Sequence, residues 1–302
     1  MSDALPGWFE RALAVPFTEH TIEGPCPIHY VRWGAVPGRA KPSLLLIHGG
    51  AAHAFWWGFL APILADTHDV VAIDLSGHGD SGRREHYPRE VWTEDVLAVI
   101  EHARFASRPV LVGHSMGGFV CMAMASLHGD RLAGAIIVDS PVRPPATERP
   151  PDPPANEERA SRWAFQNMKP HPDLATVVQR FRPLPEQPAT HPFLLDYVAR
   201  RSVRTESDGG YQWKFDPRVF ERTSRSNLRA YLGSATCRLA LIRGELSVVL
   251  PRDTAEYMVG LCRDPTPLIE IPEGHHHLMF DQPLPLVVAI RALLAGWNVP
   301  IH

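Results

Sequence analysis

The sequence predicts an α/β protein built on a mostly parallel sheet with helices on both faces. The first observation is a series of short apolar runs bounded by turn residues, at 42–50, 68–79, 108–115, 132–140, 238–245 and 266–274. Continuous apolar runs of this length are typical of strands that are buried on both faces. The second observation is that segments with apolar residues three and four apart alternate with these runs, at 91–105, 115–129, 251–262 and 283–297. Such alternation indicates helices that cross back over a parallel sheet.

Two further segments complete the predicted organisation. Upstream of the parallel strands, FTEHTIEG (17–24) and PIHYVRWG (27–34) fit an antiparallel pair. Downstream, seven prolines in residues 141–158 argue against a regular helix or strand. The alternation of strands and helices resumes only near Arg238.

We therefore predict a core made of residues 1–140 and 236–302, with a mainly helical cap inserted at 141–235. The cap is rich in aromatic side chains, namely Trp163, Phe165, Phe181, Phe193, Tyr197, Tyr211, Trp213, Phe215, Phe220 and Tyr231.

Charge and composition argue against several classes of partner. The formal net charge is −3, from 30 Lys and Arg against 33 Asp and Glu, and no basic run is present that would neutralise a nucleic-acid backbone. No 18 apolar residues run together and the first residues lack a signal-peptide pattern, so we expect a soluble cytoplasmic protein without a membrane partner. The four cysteines form no CxxC pair, which favours reduced thiols over a zinc site. A small molecule is the expected partner, and the sequence does not indicate an oligomeric state.

The stretch VLVGHSMGGFV (110–120) carries the strongest chemical signal. It places Gly113-His114-Ser115-Met116-Gly117 between an apolar strand and an apolar helix, which is the context of a G-x-S-x-G nucleophile elbow. So tight a turn needs small residues two positions before and after the serine. We predict that the Ser115 hydroxyl is exposed above the sheet, at the start of a helix.

A second motif, His48-Gly49-Gly50, ends the strand SLLLI upstream. In this arrangement the loop after that strand donates a backbone N–H to an oxyanion, together with the residue after the nucleophile. The backbone amides of Gly50 and Met116 are therefore the candidate oxyanion hole. As possible pocket-lining residues we add His53, Trp57 and His114, which neighbour these motifs.

Together with DLSGHGDSG (74–82) and GHHHLMFDQP (274–283), these motifs resemble the α/β-hydrolase fold superfamily. The resemblance covers residues 20–140 and 236–297 and leaves the cap out. In that family an acidic residue usually follows the working histidine by five positions and a proline by seven, which points to His276. A structural or solvated role suits His275 and His277.

We expect no metal at these three histidines. Side chains of adjacent residues diverge, so three consecutive histidines do not easily face one ion. Cysteine and carboxylate ligands are also missing from the motif.

The acid that would orient His276 departs from the commonest family pattern. The family usually shows G-E-x-D after the strand that corresponds to LALIRG, whereas this chain has Gly244-Glu245-Leu246-Ser247. Some members carry the acid after the preceding core strand, where this chain has Asp139. We prefer Asp139 as the acid and keep Glu245 as the alternative.

The resemblance implies a serine hydrolase that needs no cofactor. The expected substrate is a moderately apolar small molecule with a carboxylic ester, lactone or thioester bond, cleaved through an acyl-enzyme. Relatives that open epoxides or displace halide place Asp where Ser115 stands, so those reactions are disfavoured. A cofactor-free oxygenase, a carbon–carbon bond hydrolase and a non-catalytic ligand receptor remain alternatives on the same fold.

Overall fold

The computed structural model describes residues 4–35, 40–145, 170–207, 209–221 and 227–297. The strands within these ranges are β1 (Phe17–Ile22), β2 (Ile28–Trp33), β3 (Ser43–Ile47), β4 (Asp69–Ile73), β5 (Val110–His114), β6 (Gly134–Val138), β7 (Val203–Thr205), β8 (Tyr211–Trp213), β9 (Arg238–Gly244) and β10 (Leu268–Ile271). The helices are α1 (Gly7–Leu13), α2 (Ala61–Leu64), α3 (Arg89–Ala103), α4 (Met116–Leu127), α5 (Leu174–Arg180), α6 (Pro192–Arg201), α7 (Leu228–Gly233), α8 (Arg252–Leu261), α9 (Leu278–Asp281) and α10 (Pro283–Trp297).

Eight of the described strands form one sheet in the order β1-β2-β4-β3-β5-β6-β9-β10. β2 pairs with β1 and with β4 in antiparallel fashion. The remaining neighbours are parallel. Each of the six predicted parallel strands is present, as are the leading antiparallel pair and the four predicted crossover helices. The predicted fold class is therefore confirmed.

The sheet is buried on both faces because successive residues of each strand point to opposite sides. Leu44 and Leu46 of β3 pack in one apolar cluster, which includes Leu286 and Ile290 of α10. Leu45 and Ile47 of the same strand pack in the other cluster, which includes residues of α3, α4 and α8. This two-sided burial explains why the strand sequences are continuously apolar and do not alternate.

The insertion between β6 and β9 contains α5, α6, α7 and the antiparallel pair of β7 and β8. Residues 214–216 are held to the loop after β4 by two backbone hydrogen bonds. Gly79 N–H donates to the carbonyl of Lys214 at 2.7 Å, and Asp216 N–H donates to the carbonyl of Gly77 at 2.7 Å. An ion pair between Lys214 Nζ and Asp80 Oδ2, at 2.6 Å, joins the same two segments. We call this set of contacts the cap clamp.

The boundaries of the three predicted domains stay a prediction. Most of the proline-rich segment and the aromatic residues Trp163 and Phe165 lie outside the described residues. Within the described ranges, no helix combines the length and the apolar character that crossing a bilayer requires. The four cysteines are free thiols.

Candidate active site

Ser115 lies on a tight turn between β5 and α4. Its φ is 52° and its ψ is −116°, a conformation that L side chains rarely adopt. The turn is tight enough that a Cβ on Gly113 would overlap the carbonyl oxygen of Gly117, and one on Gly117 would overlap that of Ile47. Glycine is thus required on both sides of the serine, as predicted, because any larger side chain at Gly113 or Gly117 would clash with the backbone. A backbone strain of about 1–3 kcal/mol is typical for such a residue and is found mainly at functional sites.

His276 brings the far end of the chain to this serine. It lies in the loop after β10, is buried, and places Nε2 at 3.2 Å from Ser115 Oγ. Its other ring nitrogen, Nδ1, lies 3.1 Å from Asp139 Oδ1. The carboxylate can only accept, so we assign the ring proton to Nδ1. The lone pair of Nε2 then faces the Ser115 hydroxyl.

Asp139 follows β6 and is fully buried, with a φ of 48°. Its Oδ2 accepts a hydrogen bond from the Gly244 backbone N–H at 2.9 Å. Its Oδ1 accepts one from the Ser247 hydroxyl at 2.6 Å. Ser247, at the position where the resemblance leads us to look for an acid, therefore supports the carboxylate of a neighbouring strand.

The alternative acid, Glu245, is not brought to His276. Its side chain is exposed, and its Oε2 accepts a hydrogen bond from the Glu273 backbone N–H at 2.9 Å. Ser247, two residues further along the same loop, is buried and faces Asp139. Of the two candidate acids, the structure places only Asp139 within hydrogen-bonding distance of the His276 ring.

The HGG loop is fixed by its own histidine. His48 Nδ1 lies 2.7 Å from the Gly49 carbonyl oxygen, to which it donates, and Nε2 accepts the Leu75 N–H at 3.1 Å. Gly50 and Met116 line the same cavity as Ser115. A methyl group on Gly50 would lie 3.9 Å from Met116 Sδ, so the two candidate oxyanion residues are close together.

The two histidines that flank His276 have different surroundings. His275 Nδ1 lies 2.8 Å from Asp281 Oδ2, which also accepts the His275 backbone N–H at 2.7 Å. His277 is buried and lines the cavity. Burial and the neighbouring His276 lower the pKa of His277 to about 3, so its ring is neutral at neutral pH. Of the three histidines, His275 thus stabilises the loop, His276 is the candidate base, and His277 is part of the cavity wall.

Among the residues that the structure describes, two groups of side chains have the composition of a metal site. Ring nitrogens of His114, His276 and His277 lie within 4.8 Å of one another, and His29, Asp74 and Asp80 form the second group. His114 Nε2 donates to the His276 carbonyl at 2.9 Å, which leaves Nδ1 as its ligand atom. Because Nδ1 of His276 faces Asp139, an ion in the first group would take the lone pair that faces Ser115.

A cavity of about 640 Å³ opens in front of Ser115. Most of its wall is apolar, and the larger contributors are Trp56, Tyr87, Trp92, Met116, Phe119, Phe181, Leu184, Trp213, Phe215, Val219 and Phe220. Six of these, Phe181, Leu184, Trp213, Phe215, Val219 and Phe220, belong to the insertion. Not every aromatic residue of the insertion faces the cavity, since the ring of Tyr197 packs against Phe9 and Phe59.

The three pocket residues predicted from the motifs lie outside this wall. His53 is buried with Nε2 at 2.9 Å from Ser202 Oγ, Trp57 is fully buried in the core, and His114 lies behind Ser115 with its Nε2 on the His276 carbonyl. Trp56 lines the cavity instead of Trp57. The reason is the 3₁₀ turn Ala54–Trp56, which sends neighbouring side chains in different directions.

The sequence also missed wall residues on the core helices, among them Phe119 and Arg89. Phe119 lies one helical turn after Ser115, a spacing that could have indicated it. Arg89 begins α3, and no motif pointed to it. Both are part of the cavity wall.

Comparison with known proteins identifies the family and the fold. The sequence matches the alpha/beta hydrolase family over residues 44–290. It is 28% identical over 309 residues to the esterase Rv0045c of Mycobacterium tuberculosis, which covers 97% of this chain and 98% of the esterase. It is 34% identical over 145 residues to the dihydrolipoyllysine-residue acetyltransferase component of the acetoin cleaving system of Pseudomonas putida, and there it spans 46% of this chain and 39% of that protein.

Among solved structures, E-2-(acetamidomethylene)succinate hydrolase has the same fold. The two superpose with a TM-score of 0.75 over 93% of this chain and 100% of the other, at 19% identity.

Proposed function

The chain belongs to the alpha/beta hydrolase family and is a hydrolase, and from this premise we propose that it is a serine hydrolase of ester-like bonds. The proposed substrate is a moderately apolar small molecule with a carboxylic ester, lactone or thioester bond. The observation that carries the proposal is the hydrogen-bonded line from Ser115 through His276 to Asp139, which ends at the cavity.

In the proposed first step, Ser115 Oγ attacks the acyl carbon while His276 Nε2 takes its proton. A serine hydroxyl is a poor nucleophile without such a base, and the distance of 3.2 Å suits the transfer. Asp139 holds the ring in the required tautomer and stabilises the imidazolium that forms. Ser247 and Gly244 in turn hold the carboxylate in place.

The tetrahedral intermediate places a negative charge on the former carbonyl oxygen. We assign its stabilisation to the backbone amides of Gly50 and Met116, at about 3 kcal/mol for each donor. Met116 is also the first residue of α4, so its amide is one of the free donors of a helix start. Collapse of the intermediate breaks the bond to the leaving group, which receives the proton from His276.

The acyl-enzyme is then hydrolysed by the same groups. His276 takes a proton from water, the resulting hydroxide attacks the acyl carbon, and Ser115 leaves with the proton. The product acid and the free enzyme result. A cavity of about 640 Å³ with a largely aromatic wall supports a substrate of moderate size with apolar parts.

The test is the hydrolysis of p-nitrophenyl butyrate by the wild type and by Ser115→Ala. We expect measurable turnover in the wild type and a loss of about 10⁴-fold or more in kcat for the variant. Ser126→Ala is a matched control, because Ser126 lies on the same helix and its hydroxyl bonds to Ser234. A fluorophosphonate should add to Ser115, which peptide mass spectrometry would locate. An inactive wild type that also fails to react with the fluorophosphonate would reject the proposal.

A further inference from the structure

Arg89 is a charged side chain in the wall of the cavity, and it forms no ion pair with any residue that the structure describes. Its Nε is buried, and among the described residues no oxygen accepts a hydrogen bond from it. The guanidinium carbon lies 5.2 Å from the centroid of the Phe119 ring. The neighbouring acid, Glu90, accepts a hydrogen bond from the Tyr231 hydroxyl at 2.8 Å; its charge acts on Arg89 from a distance, but the two side chains form no ion pair.

Two other partly buried arginines of this chain have carboxylate partners. Arg32 donates twice to Asp69, and Arg84 Nη2 lies 2.8 Å from Asp95 Oδ1. Burying an unpaired guanidinium costs free energy, and burial lowers the pKa of Arg89. An arginine stays protonated at neutral pH even so. A ligand anion would complete the hydrogen bonding that the protein leaves open.

The position of Arg89 suits contact with a substrate held at Ser115. Phe119 is four residues beyond Ser115, about 6 Å along the helix axis. The guanidinium lies against that ring, and Arg89, Phe119 and Ser115 line the same cavity. Arg89 is also the first residue of α3, where the helix dipole favours negative charge. Arg180, Arg182 and Glu221 also line the cavity, but their side chains belong to exposed residues.

We propose that the substrate carries a carboxylate, which Arg89 binds while the scissile carbonyl lies at Ser115. This inference rests on the proposed function and narrows its substrate class to half-esters or half-thioesters of dicarboxylic acids and related anionic esters. The planar guanidinium can hold both carboxylate oxygens, while the aromatic wall contacts the carbon chain between the two ends.

A matched pair of esters tests the inference. Mono-p-nitrophenyl adipate is anionic, and its methyl ester is neutral and nearly the same size. We expect Arg89→Gln to lower the ratio of kcat/KM for the anionic over the neutral ester by about 10–100-fold. Arg89→Lys keeps the charge and should retain part of the preference. Arg131→Gln, at an exposed arginine paired with Glu101, should leave the ratio within about three-fold of the wild type.

Three outcomes would overturn the inference. One is an unchanged ratio in a folded Arg89→Gln protein, as judged by its thermal melting curve. Another is a ratio that falls with Arg180→Gln and not with Arg89→Gln. The third is a wild type that prefers the neutral ester.

Binding separates this inference from the proposed function. Adipate is titrated into Ser115→Ala and into Ser115→Ala combined with Arg89→Gln, by calorimetry. We expect at least ten-fold weaker binding when Arg89 is replaced, even if no ester is turned over by the wild type. Inorganic phosphate serves as the second ligand, and tighter binding of phosphate than of adipate would reject the carboxylate assignment.

Discussion

Two buried aspartate–histidine pairs follow strands of this sheet, and they differ in what the histidine faces. Asp139 follows β6 and pairs with His276, whereas Asp74 follows β4 and pairs with His29 at 2.8 Å. Both carboxylates also accept backbone N–H groups. Asp74 accepts from Ala54 at 2.6 Å and from Asp80 at 2.9 Å. The carboxyl ends of the strands thus carry two similar pairs.

The second ring nitrogen distinguishes them. His276 Nε2 faces the Ser115 hydroxyl, which is lifted on a strained turn and borders the cavity. His29 Nε2 lies 3.3 Å from Glu19 Oε2, a second carboxylate. Burial opposes the charge on His29, but the hydrogen bond and charge of Asp74 raise the pKa of His29 above its ordinary value. The Asp74–His29 pair therefore has a structural role, whereas Asp139–His276 is a candidate catalytic pair. The difference lies in the group that the second ring nitrogen faces, which is Glu19 in the first pair and Ser115 in the second.

The largest expected effect separates the two pairs by activity. Asp139→Asn should lower kcat on p-nitrophenyl butyrate by about 10³–10⁴-fold, because an amide no longer fixes the tautomer or stabilises the imidazolium. Asp74→Asn should lower the midpoint of urea unfolding, with a change in kcat of less than about ten-fold. If Glu245→Gln abolished turnover and Asp139→Asn did not, the assignment of the acid would be wrong.

A second substitution tests whether Ser247 occupies a position from which an acid could work. Ser247→Asp combined with Asp139→Asn should have a kcat about 10–100-fold higher than Asp139→Asn alone. The reason is that the Ser247 hydroxyl lies 2.6 Å from Asp139 Oδ1, so a carboxylate at 247 would lie near the lost one. Ser247→Asn in the same background is the control of equal size without charge. Equal activity of the two double variants would show that a carboxylate at 247 does not reach His276.

The strain at Ser115 predicts a smaller effect, on stability. Ser115→Gly should be more stable than Ser115→Ala by about 1 kcal/mol, because glycine adopts a φ of 52° without the cost that a Cβ imposes. Both variants lack the hydroxyl and should be equally inactive, which makes them a matched pair. Urea unfolding monitored by circular dichroism measures the difference, and an alanine variant at least as stable as the glycine variant would contradict it.

The smallest expected effect concerns pH and the pair of His29 with Asp74. A raised pKa in the folded state means that the charged pair stabilises the protein fully below the unfolded pKa of about 6.5. This contribution is lost as the pH rises through the folded pKa. The free energy of unfolding should therefore differ more between the wild type and His29→Gln at pH 6 than at pH 9. A difference that grows with pH would contradict the assignment.

Much of the fold and part of the site follow from local sequence. The six parallel strands were predictable because each is buried on both faces and so is continuously apolar. The Ser115 turn was predictable because the backbone leaves no room for a side chain at Gly113 or Gly117, so the glycines appear as a motif in the sequence. The spacing from Asp281 and Pro283 indicated His276, and the departure at Ser247 directed attention to Asp139. The structure places these three side chains together, while their catalytic roles remain a proposal.

The cavity wall could not be predicted in the same way. Trp57 and Trp56 are adjacent, and only the 3₁₀ turn decides which of them faces the cavity. Arg89 carries no motif, and its environment depends on Phe119 and on the distant insertion. Wall residues are selected by tertiary packing, which leaves no local period in the sequence.

The cap clamp has a consequence for exchanging parts between relatives. The backbone of residues 214–216 is hydrogen-bonded to Gly77 and Gly79, which belong to the loop after β4. Residues 214–216 of the insertion and this loop therefore form one structural unit, although they are far apart in the sequence. A chimera that carries the insertion of a relative on this core should also carry that relative's own loop after β4. An insertion transferred alone would lose the hydrogen bonds to this loop.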